Sequence, residues 1–296
     1  MVKLLGQYKN GNYDVRIFDD GTKIRATEDD KFISEFPENI DIKITNYCDA
    51  GCKFCHEDST TSGKHADLKN YILYGFLKTL KPHTELAIGG GNPLDHPQLR
   101  MLLSYLKYQK IISNLTVNQT HFEKNFDEIR SLVKNKLIYG VGVSLINPTD
   151  KFISSIQQIP NAVIHTINGI TTMKSYEKLS NKNLKVLILG YKMFRRGVTY
   201  YSPTVQSNMN ELSKNITSLM SKFEVLSFDN LAIEQLNMIS YLTQEEWDRF
   251  YMGDDGQFTM YVDLVNEVYA KNSTSETTYP LTGDIVEMFQ FIKERG

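Results

Sequence analysis

Short apolar runs alternate with amphipathic segments from about residue 40 to residue 190. Six runs are typical of strands, because each is short, rich in branched apolar residues and bounded by polar residues or glycine. They lie at 40–45, 85–88, 114–117, 137–146, 162–167 and 184–189. The segments between them space apolar residues by three or four positions, which indicates helices. This alternation predicts parallel strands joined by crossover helices.

Crossover connections wrap in one direction, so the six units predict a curved sheet or a barrel with its chemistry at the carboxyl ends of the strands. Residues 1–36 have a different pattern, two alternating runs around Asp19-Asp20-Gly21, which predicts a small N-terminal β-hairpin. Residues 201–296 predict an α+β extension, with a helix over 203–223, a strand over 225–228 and a hairpin over 257–270. We therefore divide the chain into 1–36, 37–200 and 201–296.

Composition excludes several classes of protein. The chain has 296 residues, of which 41% are hydrophobic and 23% charged, so a packed core is expected rather than disorder. A formal net charge of −2 provides no general basic field for nucleic acid. The mean hydropathy is −0.34, no apolar run reaches the length of a membrane span, and the N-terminus turns polar too soon for a signal peptide. A cytoplasmic protein is expected, with no membrane and no general nucleic-acid partner.

The three cysteines, Cys48, Cys52 and Cys55, lie within eight residues. An odd, clustered set is a poor disulfide framework, and it fits metal ligation in a reducing compartment. Three thiolates in a short glycine-containing loop suit an iron–sulfur cluster and leave one of four irons open. The alternatives are a zinc site and a buried apolar trio. Zinc requires a fourth ligand, and His56 adjoins Cys55 too closely to share one tetrahedron with it easily.

The spacing C-x3-C-x2-C after a first strand, with Phe54 before the third cysteine, resembles the signature of the radical S-adenosylmethionine (SAM) superfamily. The resemblance implies a [4Fe–4S] cluster on Cys48, Cys52 and Cys55, with the SAM amine and carboxylate on the fourth iron. It also implies one-electron reduction by a donor such as flavodoxin or ferredoxin. SAM is then cleaved to methionine and a 5′-deoxyadenosyl radical, which abstracts a hydrogen atom from the substrate.

A glycine-rich segment closes the second strand and resembles the GGEP element of the same superfamily, which binds the SAM amino group. The matching residues are Gly90, Gly91, Asn92 and Pro93. Glycines allow the backbone to approach a ligand closely. Asn92 departs from the pattern, because Glu is usual there. Asparagine keeps a carbonyl acceptor for an ammonium group but brings no charge.

Polar residues follow the later strands. The resemblance assigns Asn118 and Ser144, near the ends of the third and fourth strands, to the SAM ribose and carboxylate. Both residue types also cap helices and form turns, which is the alternative interpretation. Arg195 and Arg196 follow the sixth strand, where they are either a clamp for an anion or a solvated pair.

The resemblance covers about residues 40–195 and implies an α/β fold, a partial (β/α)6 TIM-like barrel. A fourth cysteine is missing, so an auxiliary cluster ligated only by cysteines is excluded. The expected function is that of a single-cluster radical SAM enzyme acting on a peptide, a nucleoside or another small metabolite, with its catalytic residues unassigned. The alternative is a non-catalytic iron–sulfur or zinc-binding sensor or binding protein, which needs the cysteines but no SAM pocket.

Overall fold

A computed structural model describes residues 2–73 and 75–295. The N-terminal strands β1 (Leu4–Asn10), β2 (Tyr13–Phe18) and β3 (Lys23–Ala26) form a separate antiparallel sheet in the order β1-β2-β3. The predicted hairpin is therefore incomplete, because β1 was missed. Its pairing register shifts between Leu4 and Gly6, and such a bulge disrupts the alternation by which a strand is recognised.

The main sheet contains the six predicted strands and a seventh parallel strand. They are β4 (Asn39–Thr45), β5 (Glu85–Gly90), β6 (Ile112–Asn118), β7 (Gly140–Ser144), β8 (Ala162–Ile167), β9 (Lys185–Leu189) and β10 (Val225–Phe228). Each pairs in parallel with the next along the chain. The α/β class with a large parallel sheet is confirmed.

The C-terminal segment completes the sheet on the other side of β4. Strand β11 (Thr259–Asp263) pairs in parallel with β4, and β12 (Val268–Ala270) and β13 (Tyr279–Pro280) follow in antiparallel order. The hairpin predicted over 257–270 is confirmed by the β11–β12 pair. Within the described residues the ten strands run from β10 to β13 without pairing between these two, so the sheet is open.

Eleven α-helices are described in residues 2–73 and 75–295. They are α1 (Leu68–Leu73), α2 (Leu99–Tyr108), α3 (Gln119–Lys124), α4 (Phe126–Lys134), α5 (Asp150–Ile156), α6 (Met173–Leu179), α7 (Arg196–Tyr200), α8 (Pro203–Leu219), α9 (Asn230–Gln235), α10 (Gln244–Phe250) and α11 (Ile285–Arg295). Apolar residues keep helical spacing from Phe122 to Val133, but the segment is divided between α3 and α4 at Asn125, whose side chain donates to the His121 carbonyl. None of the described helices has the length and apolarity needed to cross a membrane.

The two faces of the parallel sheet differ in character. Ile40, Ile42 and Ile44 of β4 are 0%, 2% and 0% exposed and belong to the main hydrophobic core. Residues between them point to the opposite face, because side chains alternate along a strand. The pairing registers align these alternate residues into one surface, the polar face, which comprises Asp41, Lys43, Ala87, Gly89, Asn114, Thr116, Asn118, Gly142, Ser144, Val163, His165, Tyr261 and Asp263. One face therefore supplies the core, and the other offers polar groups to a ligand.

Candidate functional site

The three cysteines lie in the loop of residues 46–67, here called the cysteine loop, directly after β4. The loop is folded on itself: the Cys48 amide donates to the Thr60 carbonyl at 2.9 Å, and the Cys55 amide donates to the Cys52 carbonyl at 3.3 Å. The parallel sheet thus places all three thiols beyond the carboxyl end of a central strand, the edge where α/β proteins bind ligands.

The thiols are free and half-buried. Burial raises the pKa of the Cys48 and Cys52 thiols, and the neighbouring cysteines raise it further. In the described part of the chain, no three His, Cys, Asp or Glu side chains gather around one metal ion. In a cluster each thiolate binds a different iron, so three free thiols in one short loop fit a cluster without meeting at one point.

His56, the residue considered as a zinc ligand, has other partners. Its Nε2 lies 3.3 Å from Lys192 Nζ and 3.5 Å from Glu57 Oε1. Burial lowers the pKa of His56 well below its usual value, and the positive charge of Lys192 lowers it further. The imidazole is therefore neutral, and it lies between the charged groups of Lys192 and Glu57.

Side chains from β6 and α3 contact the cysteine loop. The Asn118 amide lies 3.5 Å from Cys52 Sγ, while its carbonyl oxygen accepts from the Thr120 amide at 2.9 Å and caps α3. Buried His121 contacts Asp49 Oδ1 through Nε2 at 2.6 Å, and this hydrogen bond lowers the pKa of Asp49. Asn118 therefore caps α3 and also lies against the Cys52 thiol. His121 was not identified from the sequence, where it resembles any polar residue of a short helix.

Arg195 and Arg196 hold the cysteine loop from the other side. Arg195 donates to the Glu57 carbonyl at 2.8 Å, and Arg196 donates to the carbonyls of Cys52 at 3.0 Å and Ser59 at 2.5 Å. Arg195 has φ of 48° and ψ of −122°, a conformation that costs a non-glycine residue about 1–3 kcal/mol. Both guanidinium groups bond to carbonyls of the cysteine loop, although Arg195 remains exposed to solvent. The two groups order the backbone that carries the cysteines.

The glycine motif is bonded directly to the backbone that precedes the cysteines. The Gly91 amide donates to the Thr45 carbonyl at 2.7 Å, and the Asn92 amide donates to the Tyr47 carbonyl at 2.7 Å. Gly90 has φ of 111°, which L side chains rarely adopt, and a Cβ at Gly91 would collide with the Tyr47 carbonyl oxygen. Glycine is therefore required at both positions by this close approach.

Asn92 and Pro93 begin a short 3₁₀ helix, Pro93–Asp95. Asn92 is 1% exposed. Its carbonyl oxygen accepts from the Leu94 amide at 3.3 Å, and its amide donates to Asp95 Oδ2 at 2.8 Å. The Asn92 side chain is thus used inside the turn, and it holds a carboxylate that the sequence reasoning did not single out.

Ser144 and Phe54 complete the residues predicted from the sequence. Ser144 ends β7, paired with Asn118 on one side and His165 on the other, and is partly exposed. The Phe54 ring lies 5.7 Å from the Tyr200 ring of α7. The structure therefore brings the cysteine loop, the glycine motif and Asn118 into contact, and Ser144 lies one strand farther along the sheet.

A buried ion network lies under the cysteine loop. The Lys43 side chain is 1% exposed, and its Nζ lies 2.8 Å from Glu57 Oε2 and 3.0 Å from Asp263 Oδ2. Tyr261 donates to Glu57 Oε1 at 3.3 Å. One buried lysine therefore links β4, the cysteine loop and β11. Sequence patterns could not reveal this network, because it depends on pairing between strands far apart in the chain.

Two titratable residues line the polar face deeper in the sheet. Asp41 lies among protein atoms, and its side chain is exposed to solvent. Burial raises the pKa of Asp41 to about 6, although Lys192 lowers it. Burial also lowers the pKa of His165 to about 4, so its imidazole is neutral. The polar face therefore carries a carboxyl group on β4 and a neutral imidazole on β8, four strands away in the sheet.

Comparison with known proteins identifies a shared fold. No family model matches the chain, and no curated protein matches it significantly. Among solved structures it is similar to SuiB of Streptococcus suis bound to the precursor peptide SuiA, with a TM-score of 0.61 and 15% identity over 87% of this chain and 65% of that one. SuiB bound to S-adenosylmethionine gives a TM-score of 0.55 and 17% identity, over 84% of this chain and 64% of that one.

The chain thus spans about two thirds of the length of SuiB. At these identities the likeness is one of fold, and it agrees with the resemblance carried by the cysteine and glycine motifs. The chain has the α/β fold of a protein whose solved structures hold S-adenosylmethionine in one case and a precursor peptide in another.

Proposed function

We propose that the chain is a radical SAM enzyme in which Cys48, Cys52 and Cys55 hold one [4Fe–4S] cluster. The observation that carries this proposal is the bonding of the Gly91 and Asn92 amides to the backbone just before the cysteines. Two motifs far apart in sequence form one continuous surface. A sensor that only holds a cluster has no need of the second motif.

When bound, the cluster and SAM supply the one-electron chemistry that removes a hydrogen atom from a substrate. The protein's own groups bind and orient. The backbone at Gly90 and Gly91 would receive the amino acid part of SAM beside the cysteine loop, and Asn118 and Ser144 would offer polar atoms at the next two strand ends to its ribose and carboxylate. Arg196 keeps the cysteine loop in place through two carbonyls.

We propose that residues 37–200 form a partial barrel around the polar face, with 1–36 as an N-terminal addition and 201–296 closing the substrate side. Strand β11 supports this division, because it brings the C-terminal segment beside the cysteine strand. The polar face that carries Asp41 and His165 is the proposed substrate site. The SuiB structure with a precursor peptide favours a peptide among the substrate classes considered.

The test is anaerobic reconstitution followed by reduction with dithionite in the presence of SAM. We expect about four iron and four sulfide per chain, and formation of methionine and 5′-deoxyadenosine detected by mass spectrometry. Alanine at Cys48, Cys52 or Cys55 should abolish both, whereas alanine at exposed Lys53, in the same loop, should preserve the cluster.

Two results would contradict the proposal. A colourless protein with stoichiometric zinc would exclude the cluster. A cluster-containing, reduced protein that never forms 5′-deoxyadenosine, even with candidate peptides, would favour a sensor or binding protein.

A further inference from the structure

Asn118 lies between two partners whose chemistry fixes the orientation of its amide. One end of the side chain faces the Thr120 amide at 2.9 Å, and the other lies 3.5 Å from Cys52 Sγ. The atom that faces the Thr120 amide must be the oxygen, because a backbone N–H can only donate. The nitrogen therefore faces the sulfur, and the contact is an N–H···S hydrogen bond in which Asn118 is the donor.

This hydrogen bond distinguishes Cys52 from the other two cysteines. Within residues 2–73 and 75–295, Asn118 is the one side chain that donates to a cysteine sulfur. The backbone carbonyl of Cys52 also accepts from Arg196 at 3.0 Å. Cys52 is therefore held at both its sulfur and its backbone, and it is the thiolate on which a neighbouring donor can act.

The position of the cysteine loop does not depend on the Asn118 amide. His121 contacts Asp49 at 2.6 Å, and Arg196 bonds to the Ser59 carbonyl as well as to that of Cys52. These contacts tie the loop to α3 and α7 independently of Asn118. Because other groups already place the sulfur, the distinctive contribution of the amide is its effect on the negative charge of the thiolate.

We propose that Asn118 raises the reduction potential of the cluster by donating a hydrogen bond to the Cys52 thiolate. This inference rests on the proposed function. When the cluster takes one electron from a reduced flavodoxin or ferredoxin, negative charge on the irons and their sulfur ligands increases. A hydrogen bond to an ionised acceptor is about twice as strong as one between neutral groups, so the amide stabilises the reduced cluster more than the oxidised one. Hydrogen bonds to the sulfurs are among the factors that set iron–sulfur potentials.

The two N–H groups of the Asn118 amide allow it to serve both partners. One N–H is directed to Cys52, and the second is available to the ribose or carboxylate of SAM. Toward the cluster, Asn118 acts through Cys52 and is a positioning residue. Its effect there is therefore separable from SAM binding, since the potential can be measured before SAM is added.

The test is an anaerobic redox titration of the reconstituted protein without SAM, in which electron paramagnetic resonance measures the reduced cluster. Asn118→Ser retains a good N-cap for α3 but has no amide to reach the sulfur. We expect the equilibrium constant for reduction to fall about tenfold, which lowers the potential by about 59 mV. Asn118→Asp keeps the shape and the cap but places a carboxylate beside the thiolate, so its potential should be lower still.

Iron content should equal that of the wild type in both variants, because His121 and Arg196 continue to hold the loop. Asn135→Ser is the matched control. Asn135 is an exposed cap at the end of α4, where its amide donates to the Ser131 carbonyl, and its replacement should leave the potential unchanged.

A potential equal to or higher than that of the wild type, in either cluster-loaded variant, would overturn this inference and leave the proposed function intact. If only one variant retains the cluster, its potential decides. Loss of the cluster from both variants would also overturn the inference, because Asn118 would then hold the cluster rather than adjust its potential. Failure of the wild type to assemble a cluster would instead refute the proposed function.

Discussion

Two buried ion networks lie at opposite ends of β4, and their charges are reversed. At the amino end, the Glu38 carboxylate is 1% exposed and lies 3.2 Å from Lys23 Nζ and 2.8 Å from Arg25 Nε. At the carboxyl end, Lys43 lies between Glu57 and Asp263. One anion is held by two cations, and one cation is held by two anions.

The networks join different parts of the chain to the same strand. The Glu38 network attaches the N-terminal sheet, since both cations belong to β3. The Lys43 network attaches the cysteine loop through Glu57, two residues after Cys55, and β11 through Asp263. We infer that the Glu38 network supports the fold alone, whereas the Lys43 network supports both the fold and the candidate site.

The largest expected effect comes from removing the cation of the second network. Lys43→Met leaves the Glu57 and Asp263 carboxylates buried together, so we expect a loss of about 3–5 kcal/mol in the free energy of unfolding. Because Glu57 is part of the cysteine loop, iron retention should fall as well. Urea unfolding and iron content measure the two effects.

Glu38→Gln is the matched variant at the other end. It keeps hydrogen-bonding atoms for Arg25, and Lys23 retains Glu85 at 2.5 Å, so the loss of stability should be smaller. Iron content and SAM affinity should be unchanged. If Glu38→Gln released iron as readily as Lys43→Met, the proposed division of roles between the networks would be wrong.

A smaller, more selective effect is expected at the glycine motif. Gly91→Val places side-chain atoms against the Tyr47 carbonyl and must shift the backbone that faces the ligand. We expect SAM affinity to fall by more than tenfold, about 1.4 kcal/mol, with a smaller loss of iron because Tyr47 directly precedes Cys48. Gly283→Val, at a glycine with open space around it, is the control. Unchanged SAM binding in a folded Gly91→Val protein would remove this motif from the site.

The smallest expected effect concerns Asp41 and depends on pH. Its pKa is raised from 3.8 to about 6, so the folded state binds more protons than the unfolded state between these values. Stability contributed by the protonated form is therefore lost as the pH rises through 6. Above that pH the negative charge of Asp41 faces the carboxylates of Asp229, Asp255 and Glu57, and Lys192 is the compensating cation. Asp41→Asn should be more stable than the wild type at pH 8.

Because solvent reaches the Asp41 side chain, we expect a gain of only about 1 kcal/mol, or roughly 2 °C in Tm, at pH 8. The gain should disappear near pH 4. Thermal melts of both proteins from pH 4 to pH 8 measure the difference, and a gain that is independent of pH would show that Asp41 does not titrate as described.

Patterns in the sequence predicted the elements that depend on residues close together in the chain. The six parallel strands, the hairpin containing β11 and the position of the cysteine loop follow from runs of apolar residues and from spacing. The helix breaks were missed, because a polar residue such as Asn125 continues an amphipathic pattern as readily as it ends one. Strand β1 was missed because its bulge disrupts the alternation.

The contacts around the candidate site depend on residues distant in sequence. The roles of Arg195 and Arg196 follow from carbonyls more than a hundred positions earlier, and Lys43 acquires Asp263 only because β11 pairs with β4. The hydrogen bond between Asn92 and Asp95 is different, since it joins residues three positions apart. An Asn-Pro turn followed by an acidic residue is a local signal that could have identified it.

The pairing of β11 with β4 also determines the order in which the protein can be completed during synthesis. Strand β4 emerges from the ribosome early, but its second neighbour is encoded near the far end of the chain. At about 5–20 residues per second, roughly ten seconds or more separate the two strands. During this interval the cysteine strand has an unpaired edge, open to wrong partners. Chaperones that protect this edge, and any system that delivers iron, would therefore encounter the cysteine loop before its permanent neighbour arrives.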